Sequence, residues 1–156
     1  MIAITGAGEY LDIIRPYDEI LLNKLKDDPY VLCFPTAAGL ESSERIQYWL
    51  DLGDEHFTKL DVHHKSIRAL NVDDYNKPET LAEIEKANFI YFSGGNPNHL
   101  YDTLSSSLAW EKLLSIHNNG GILAGCSAGA MIMGEKMNKG KGFGFFKNSM
   151  VLPHWN

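Results

Sequence analysis

The residues with the clearest chemical meaning form segment 125–129, which reads Gly-Cys-Ser-Ala-Gly and matches the pattern G-x-S-x-G of a nucleophile elbow. The pattern indicates a nucleophile where it lies between a strand and a helix. Here an apolar run at 122–126 leads into it, and a predicted helix over 128–134 follows. Small residues let the chain turn sharply, which would hold Ser127 in a strained conformation with its hydroxyl above a sheet. We therefore interpret Ser127 as a nucleophile, with a closely packed Gly/Ala turn as the alternative interpretation.

Cys126 is an alternative nucleophile at the same turn, since a thiol is intrinsically more nucleophilic than a hydroxyl. Its place one residue before the apex predicts that its side chain points into the core. The cysteine is therefore the less favoured of the two reactive side chains.

A serine that attacks a carbonyl group also needs hydrogen-bond donors for the oxyanion that forms. The backbone N–H of Ala128, at the start of the predicted helix, is one such donor. A second donor is expected from another loop, and 94–96 (Gly-Gly-Asn) is suited because its glycines let the backbone approach a substrate. The alternative is a plain strand-to-helix turn in which Asn96 or Asn98 caps the helix.

Six histidines are available as the general base for the serine. His154 lies in the apolar run 151–155, 27 residues after Ser127, and it fits the order of serine before histidine. His99 follows the 94–96 loop, where it could reach the site or serve the first turn of a helix. The remaining four have polar or charged surroundings in the sequence and are predicted to be solvated: His56, His63, His64 and His117.

The acid that would orient the histidine is poorly specified by the sequence. Glu135 is the only carboxylate between Ser127 and His154, and it falls at the end of the predicted helix 128–134. Glu135 is a candidate by elimination. A solvent-exposed glutamate at a helix end is the alternative interpretation.

The elements that would position these residues alternate between strand and helix. Short apolar or alternating runs predict five strands, at 1–8, 30–34, 66–72, 88–92 and 122–126. Helical spacing predicts helices between them, one of which starts at Ser42 or Ser43 and is weakened by Gly53. Such alternation predicts a single α/β domain over residues 1–156, with three layers and helices on both faces of a mostly parallel sheet. Ligands bind such sheets at the carboxyl ends of the strands.

Composition and charge argue against several classes of function. Twenty acidic against fourteen basic side chains give a net charge of −6, which disfavours nucleic-acid binding. The first eight residues lack the basic leader of a signal peptide, and no apolar run reaches the roughly 18 residues of a membrane helix. Cys33 and Cys126 lie in apolar segments and are predicted to be buried, reduced thiols. A cytoplasmic location is the resulting expectation.

Three motifs in this order resemble peptidase family S51, which includes the aspartyl dipeptidase peptidase E and the cyanophycinases. The motifs lie at 89–97 (FIYFSGGNP), 125–130 (GCSAGA) and 152–155 (LPHW), and the resemblance extends over nearly the whole chain. It implies a flavodoxin-like sheet related to class I glutamine amidotransferases, with serine replacing their cysteine at the elbow. It also implies hydrolysis of peptide bonds next to acidic residues, as in aspartyl dipeptides, and the chemistry needs no metal or cofactor.

The resemblance assigns roles to individual residues. Ser127 matches the family's nucleophile, and His154 matches its base. The backbone N–H groups of Gly95 and Ala128 match the oxyanion donors. Two polar residues beside the Gly95 loop are the candidates for contact with the substrate: Asn96 and His99.

Two departures limit this transfer. The family usually has an Asp or Glu between the elbow and the histidine, whereas 136–147 holds none and leaves Glu135 as the substitute. The sequence also ends two residues after His154, where family members continue with further strands. A second subunit in a homodimer, a shortened natural gene, or a sequence that omits the rest would each explain this ending.

A protein that kept the elbow but lost the acid is the alternative function. Such a family member would be catalytically inactive and would act as a binding or interaction protein. A third interpretation is an amidotransferase-like enzyme that uses Cys126, which would require the thiol at the apex of the turn.

Overall fold

A five-stranded parallel sheet is the centre of the computed structural model, which describes residues 1–154. Its strands are β1 (Ile2–Thr5), β2 (Tyr30–Phe34), β3 (His63–Ser66), β4 (Phe89–Phe92) and β5 (Ile122–Cys126). Their order across the sheet is β1-β5-β4-β2-β3, and each neighbouring pair is parallel. The predicted α/β architecture with a mostly parallel sheet is confirmed.

Helices cover both faces of this sheet. They are α1 (Arg15–Leu22), α2 (Ser43–Lys59), α3 (Val72–Asn76), α4 (Pro78–Lys86), α5 (Pro97–Ser105), α6 (Ala109–Asn118) and α7 (Ala128–Met131). Within residues 1–154, no helix is both long enough and apolar enough to cross a membrane.

The alternating side chains of β2 show why the fold has three layers. Leu32 and Phe34 pack in one core with side chains of α4, α5 and α6. Val31 and Cys33 point the other way and pack in a second core with side chains of α1 and α2. A strand that is buried on both faces must be apolar at every position, which is why the sequence marks β2 so clearly.

A second, smaller sheet follows the elbow and was not predicted. It consists of β6 (Gly134–Met137), β7 (Gly140–Lys141) and β8 (Phe146–Met150), in the order β7-β6-β8. The predicted helix 128–134 is therefore wrong beyond Met131, where α7 ends. The backbone carbonyls of Ile132 and Gly134 instead accept hydrogen bonds from Phe143 and Gly144, so long-range pairing replaces further helical turns.

One other predicted strand is corrected, and the structure decides whether α2 continues past Gly53. The third strand is His63–Ser66 rather than 66–72, and it lies at the edge of the sheet beside β2. An edge strand tolerates polar residues, so no apolar run marks it. Helix α2 continues through Gly53, because that glycine packs against Cys33 of β2 and tertiary packing overrides its low helix propensity.

His56 is buried, which corrects the prediction that it is solvated. It is 2% exposed, and its Nε2 atom lies 2.8 Å from Oδ2 of Asp18, which is buried as well. This pair joins α2 to α1 on one face of the sheet. Among the other predicted surface histidines, His63 is exposed, while His64 and His117 are half-buried.

We expect His56→Ala to lower the free energy of unfolding by about 3–5 kcal/mol, because the Asp18 carboxylate would stay buried without its partner. Urea denaturation followed by circular dichroism measures the change. The control is His63→Ala at an exposed position, for which we expect a loss below about 1 kcal/mol. Equal losses for the two variants would contradict the structural role of the buried pair.

Candidate active site

The turn after β5 has the backbone of a nucleophile elbow. Ser127 lies between the strand and α7, with φ of 50° and ψ of −108°, a conformation that non-glycine residues rarely adopt. Its backbone N–H donates to the carbonyl oxygen of Thr5 at 3.1 Å, which ties the turn to the end of β1. The strand, turn and helix thus have the arrangement that the G-x-S-x-G pattern predicts.

The small residues around Ser127 are required by close backbone contacts. A Cβ atom at Gly125 would collide with the carbonyl group of Gly129, and one at Gly129 would collide with the carbonyl oxygen of Phe92 in β4. Alanine at either position would therefore push the backbones apart. The sequence requirement for glycine at this turn is steric.

His154 is the histidine that reaches Ser127. Its Nε2 atom lies 2.9 Å from Oγ of Ser127, which is hydrogen-bond distance. The imidazole is exposed, and the backbone of His154 passes close to Gly6 in the loop after β1. The structure thus brings together the serine and the histidine that the sequence singled out, although 27 residues separate them along the chain.

Within residues 1–154, Glu135 makes no hydrogen bond with His154. It lies in β6 rather than at the end of the elbow helix, and its Oε2 atom accepts a hydrogen bond from the backbone N–H of Asn148 at 2.6 Å. The predicted location is wrong because α7 ends after four residues. Among residues 1–154, no carboxylate is hydrogen-bonded to the imidazole of His154.

The loop after β4 lies beside Ser127, since a Cβ atom at Gly94 would be 3.3 Å from Cβ of Ser127. Gly95 has φ of 140°, and a Cβ atom there would collide with the carbonyl group of Ala37. Only glycine therefore fits this position. Within the described range, the N–H groups of Gly95 and Ala128 donate no hydrogen bond to a protein acceptor, and their role as oxyanion donors stays a prediction.

Asn96 and His99 have structural contacts in this structure. Oδ1 of Asn96 accepts from the backbone N–H groups of Asn98 and His99, so its side chain caps α5. Nε2 of His99 lies 2.8 Å from the carbonyl oxygen of Leu70 and can donate to it. These are the alternative structural roles of the two residues, and their contact with substrate stays a prediction.

Cys126 points into the core, as predicted, and its side chain is 0% exposed. Its Sγ donates a hydrogen bond to Oε2 of Glu9 at 2.9 Å. Burial, together with the hydrogen bond to Glu9, raises the pKa of the thiol to about 12. The thiol is therefore protonated at neutral pH and lies in the core, bonded to Glu9.

Glu9 is the residue of this site that sequence reasoning missed. It is 8% exposed and lies behind the loops that carry Ser127 and Gly95. The available signal was its position directly after the apolar run 1–8. Charged residues are rarely buried without partners, so a carboxylate buried there would need hydrogen-bond donors. Across the described part of the chain, no three His, Cys, Asp or Glu side chains are grouped so as to hold a metal ion.

Together these features define a class of protein, a three-layer α/β chain with a serine and a histidine within hydrogen-bond distance near the carboxyl ends of a parallel sheet. A model of Peptidase family S51 matches residues 1–152. The chain belongs to peptidase family S51, and its class is that of the peptidases, which hydrolyse peptide bonds.

Two solved structures are similar to this chain. A peptidase from an acI-B1 Actinobacterium is 35% identical with a TM-score of 0.92, over 98% of this chain and 67% of that protein. A candidate peptidase E from Listeria monocytogenes EGD-e is 20% identical with a TM-score of 0.60, over 85% of this chain and 60% of that protein. The second likeness concerns the fold alone. No curated protein matches the chain.

We expect Cys126 to resist iodoacetamide at about pH 8 in the folded protein. Its raised pKa keeps the thiol neutral at this pH, and the thiolate is the form that reacts. Peptide mass spectrometry after treatment measures the modification, and treatment in guanidinium chloride is the positive control. Rapid alkylation of Cys126 in the folded state would support the amidotransferase-like interpretation instead.

Proposed function

We propose that this chain is a serine-type peptidase that acts through an acyl-enzyme on Ser127. The observation that carries the proposal is the 2.9 Å hydrogen bond between Oγ of Ser127 and Nε2 of His154, at an elbow with strained backbone. A nucleophile within hydrogen-bond distance of a base is the arrangement that activates a serine. Membership of family S51 supports the same chemistry.

In this mechanism, His154 accepts the proton of Ser127 as the serine oxygen attacks the substrate carbonyl carbon. The N–H groups of Gly95 and Ala128 donate hydrogen bonds to the oxyanion that forms. The imidazolium then gives its proton to the leaving amine as the peptide bond breaks, which leaves the acyl group on the serine. His154 then deprotonates a water molecule that attacks the acyl carbon, and the imidazolium returns this proton to the oxygen of Ser127 as the acid product leaves.

The role that we propose for Glu135 is to hold the backbone of two neighbouring strands together. Its carboxylate accepts from Asn148 at 2.6 Å and so holds β6 against β8, the strand from which the chain continues to His154. We propose that Glu135 positions this segment, and that the Ser127–His154 pair works without a direct contact from that acid.

For the substrate, we propose small peptides with an acidic residue at the cleaved bond, such as aspartyl dipeptides. The resemblance to the peptidase E group within family S51 supports this class. A cavity of about 180 Å³ lies between α5 and the elbow helix, and its one cationic side chain would suit an acidic group. Its lining residues are Pro97, Asn98, Met131, Met137, Asn138 and Lys139.

A binding protein without catalytic activity is the second candidate. The exposed imidazole of His154, with no carboxylate partner among residues 1–154, is the observation that favours it. For location, we propose the cytoplasm, since Cys33 and Cys126 are both buried and unpaired and so suit a reducing compartment.

We expect a fluorophosphonate serine-hydrolase probe to form an adduct on Ser127, located by mass spectrometry. Ser127→Ala should form no adduct, because the attacking oxygen is gone. His154→Ala should react about 100-fold more slowly or worse, because general-base catalysis typically contributes a factor of 10²–10⁴. His63→Ala is the matched control and should react like the wild type. A folded wild-type protein that forms no adduct would favour the binding protein.

A further inference from the structure

Glu9 lies where two loops of the candidate site meet, and the mechanism above gives it no role. Its Oε1 atom accepts a hydrogen bond from the backbone N–H of Gly94 at 3.0 Å, and its Oε2 atom accepts from Sγ of Cys126 at 2.9 Å. Gly94 directly precedes the proposed oxyanion donor Gly95. Cys126 directly precedes Ser127. One buried carboxylate therefore holds the residue before each of the two groups that must face the substrate carbonyl.

The loop around Gly95 is held at two points. The N–H of Gly94 is bound by Glu9, and the N–H of Asn96 donates to the carbonyl oxygen of Ala37 at 2.7 Å. The N–H of Gly95 lies between these two anchored groups and is free of protein partners within residues 1–154. Anchoring of both neighbours limits the directions in which the Gly95 N–H can point.

The space between Glu9 and the nucleophile is filled by the backbone of Gly94. A Cβ atom at Gly94 would lie 2.8 Å from Oε1 of Glu9 and 3.3 Å from Cβ of Ser127. The carboxylate is therefore separated from the serine by one glycine, and it does not reach the position of the substrate. Its influence on the reaction is exerted through the backbone.

The backbone conformation of the loop after β1 places the carboxylate of Glu9 in the interior. Tyr10, the next residue, has φ of 62°, an unfavourable conformation for a tyrosine. Its side chain is 5% exposed and packs against Tyr91 of β4, with a centroid distance of 4.8 Å. Strained conformations persist where the surrounding structure holds them in place. Burial of Tyr10 thus fixes the backbone next to Glu9.

We infer that Glu9 is a positioning residue for the peptidase reaction, an inference that rests on the proposed serine mechanism. Its two hydrogen bonds set the relative placement of the Gly95 N–H and the Ser127 hydroxyl. The contribution is geometric, because a negative charge at this position would oppose the developing oxyanion. Loss of the acceptor atoms should slow acylation and leave initial binding unchanged, since Glu9 does not touch the substrate.

The experiment compares Glu9→Met with Glu9→Gln in the whole chain, using the fluorophosphonate probe. Methionine keeps the length of the side chain but removes both oxygen acceptors. Glutamine keeps an oxygen for the N–H of Gly94 and turns its amide towards the sulfur of Cys126, which is a weak acceptor. The maximal labelling rate and the probe concentration at half-maximal rate are measured separately.

We expect Glu9→Met to lower the maximal labelling rate about 100-fold, which is the scale of a misplaced catalytic group or a lost oxyanion donor. The probe concentration at half-maximal rate should stay within about threefold of the wild-type value. Glu9→Gln should stay within about fivefold of the wild-type rate. Hydrogen exchange of segment 92–97, measured by mass spectrometry, should be faster in Glu9→Met alone. This readout does not require activity.

Controls separate positioning from general loss of stability. Asp18→Asn removes another buried carboxylate, one that pairs with His56, and should lower the free energy of unfolding without a comparable loss of rate. If Glu9→Met does not fold, Cys126→Ala against Cys126→Ser replaces it, because serine keeps a donor for Glu9 and alanine does not. Alanine should then be the slower of the two.

The outcomes distinguish this inference from the proposed function. A wild-type protein that forms no adduct overturns the serine mechanism, and the role of Glu9 with it. A reactive wild type with Glu9→Met within about fivefold of its rate overturns the role of Glu9 alone. So does a Glu9→Gln variant as slow as Glu9→Met, because the charge would then matter more than the hydrogen bonds.

Discussion

The site depends on a close approach of backbones at the ends of β4 and β5. Gly125, Gly129 and the carbonyl of Phe92 meet with no room for a Cβ atom, and Ser127 is forced into positive φ between them. Such strain costs about 1–3 kcal/mol and persists only where the surroundings determine it. Here β5 is paired on both sides, with β1 and with β4, so the turn cannot relax by moving its strand.

The same constraint explains how residues that are distant in the chain come together. Parallel strands deliver the loops after β1, β4 and β5 to one edge of the sheet, where Glu9, Gly95 and Ser127 become neighbours. Among residues 1–154, each buried acid is matched by donors: Glu9 by an N–H and a thiol, and Asp18 by His56. An acidic protein with a net charge of −6 thus buries two carboxylates without leaving either unpaired.

Prediction from the sequence succeeded where burial is complete. The strands Tyr30–Phe34 and Ile122–Cys126 are apolar because both faces are covered, and their observed bounds match the predicted ones. It failed for the edge strand His63–Ser66 and for the small sheet after the elbow, whose residues are polar, exposed or few. Whether such a segment forms a strand depends on the segment with which it pairs, and a local sequence pattern contains no information about that partner.

The amino-acid sequence determined the layered α/β class, the elbow at Ser127 and the choice of His154, because each depends on local steric needs or on chain order. Tertiary structure alone decided that Glu135 accepts a hydrogen bond from Asn148, that His56 is buried, and that Glu9 contacts the residue before Ser127. A carboxylate or an imidazole acquires its role from the donors and acceptors placed around it. Those neighbours are set by the packing of distant segments, which no spacing within one segment can reveal.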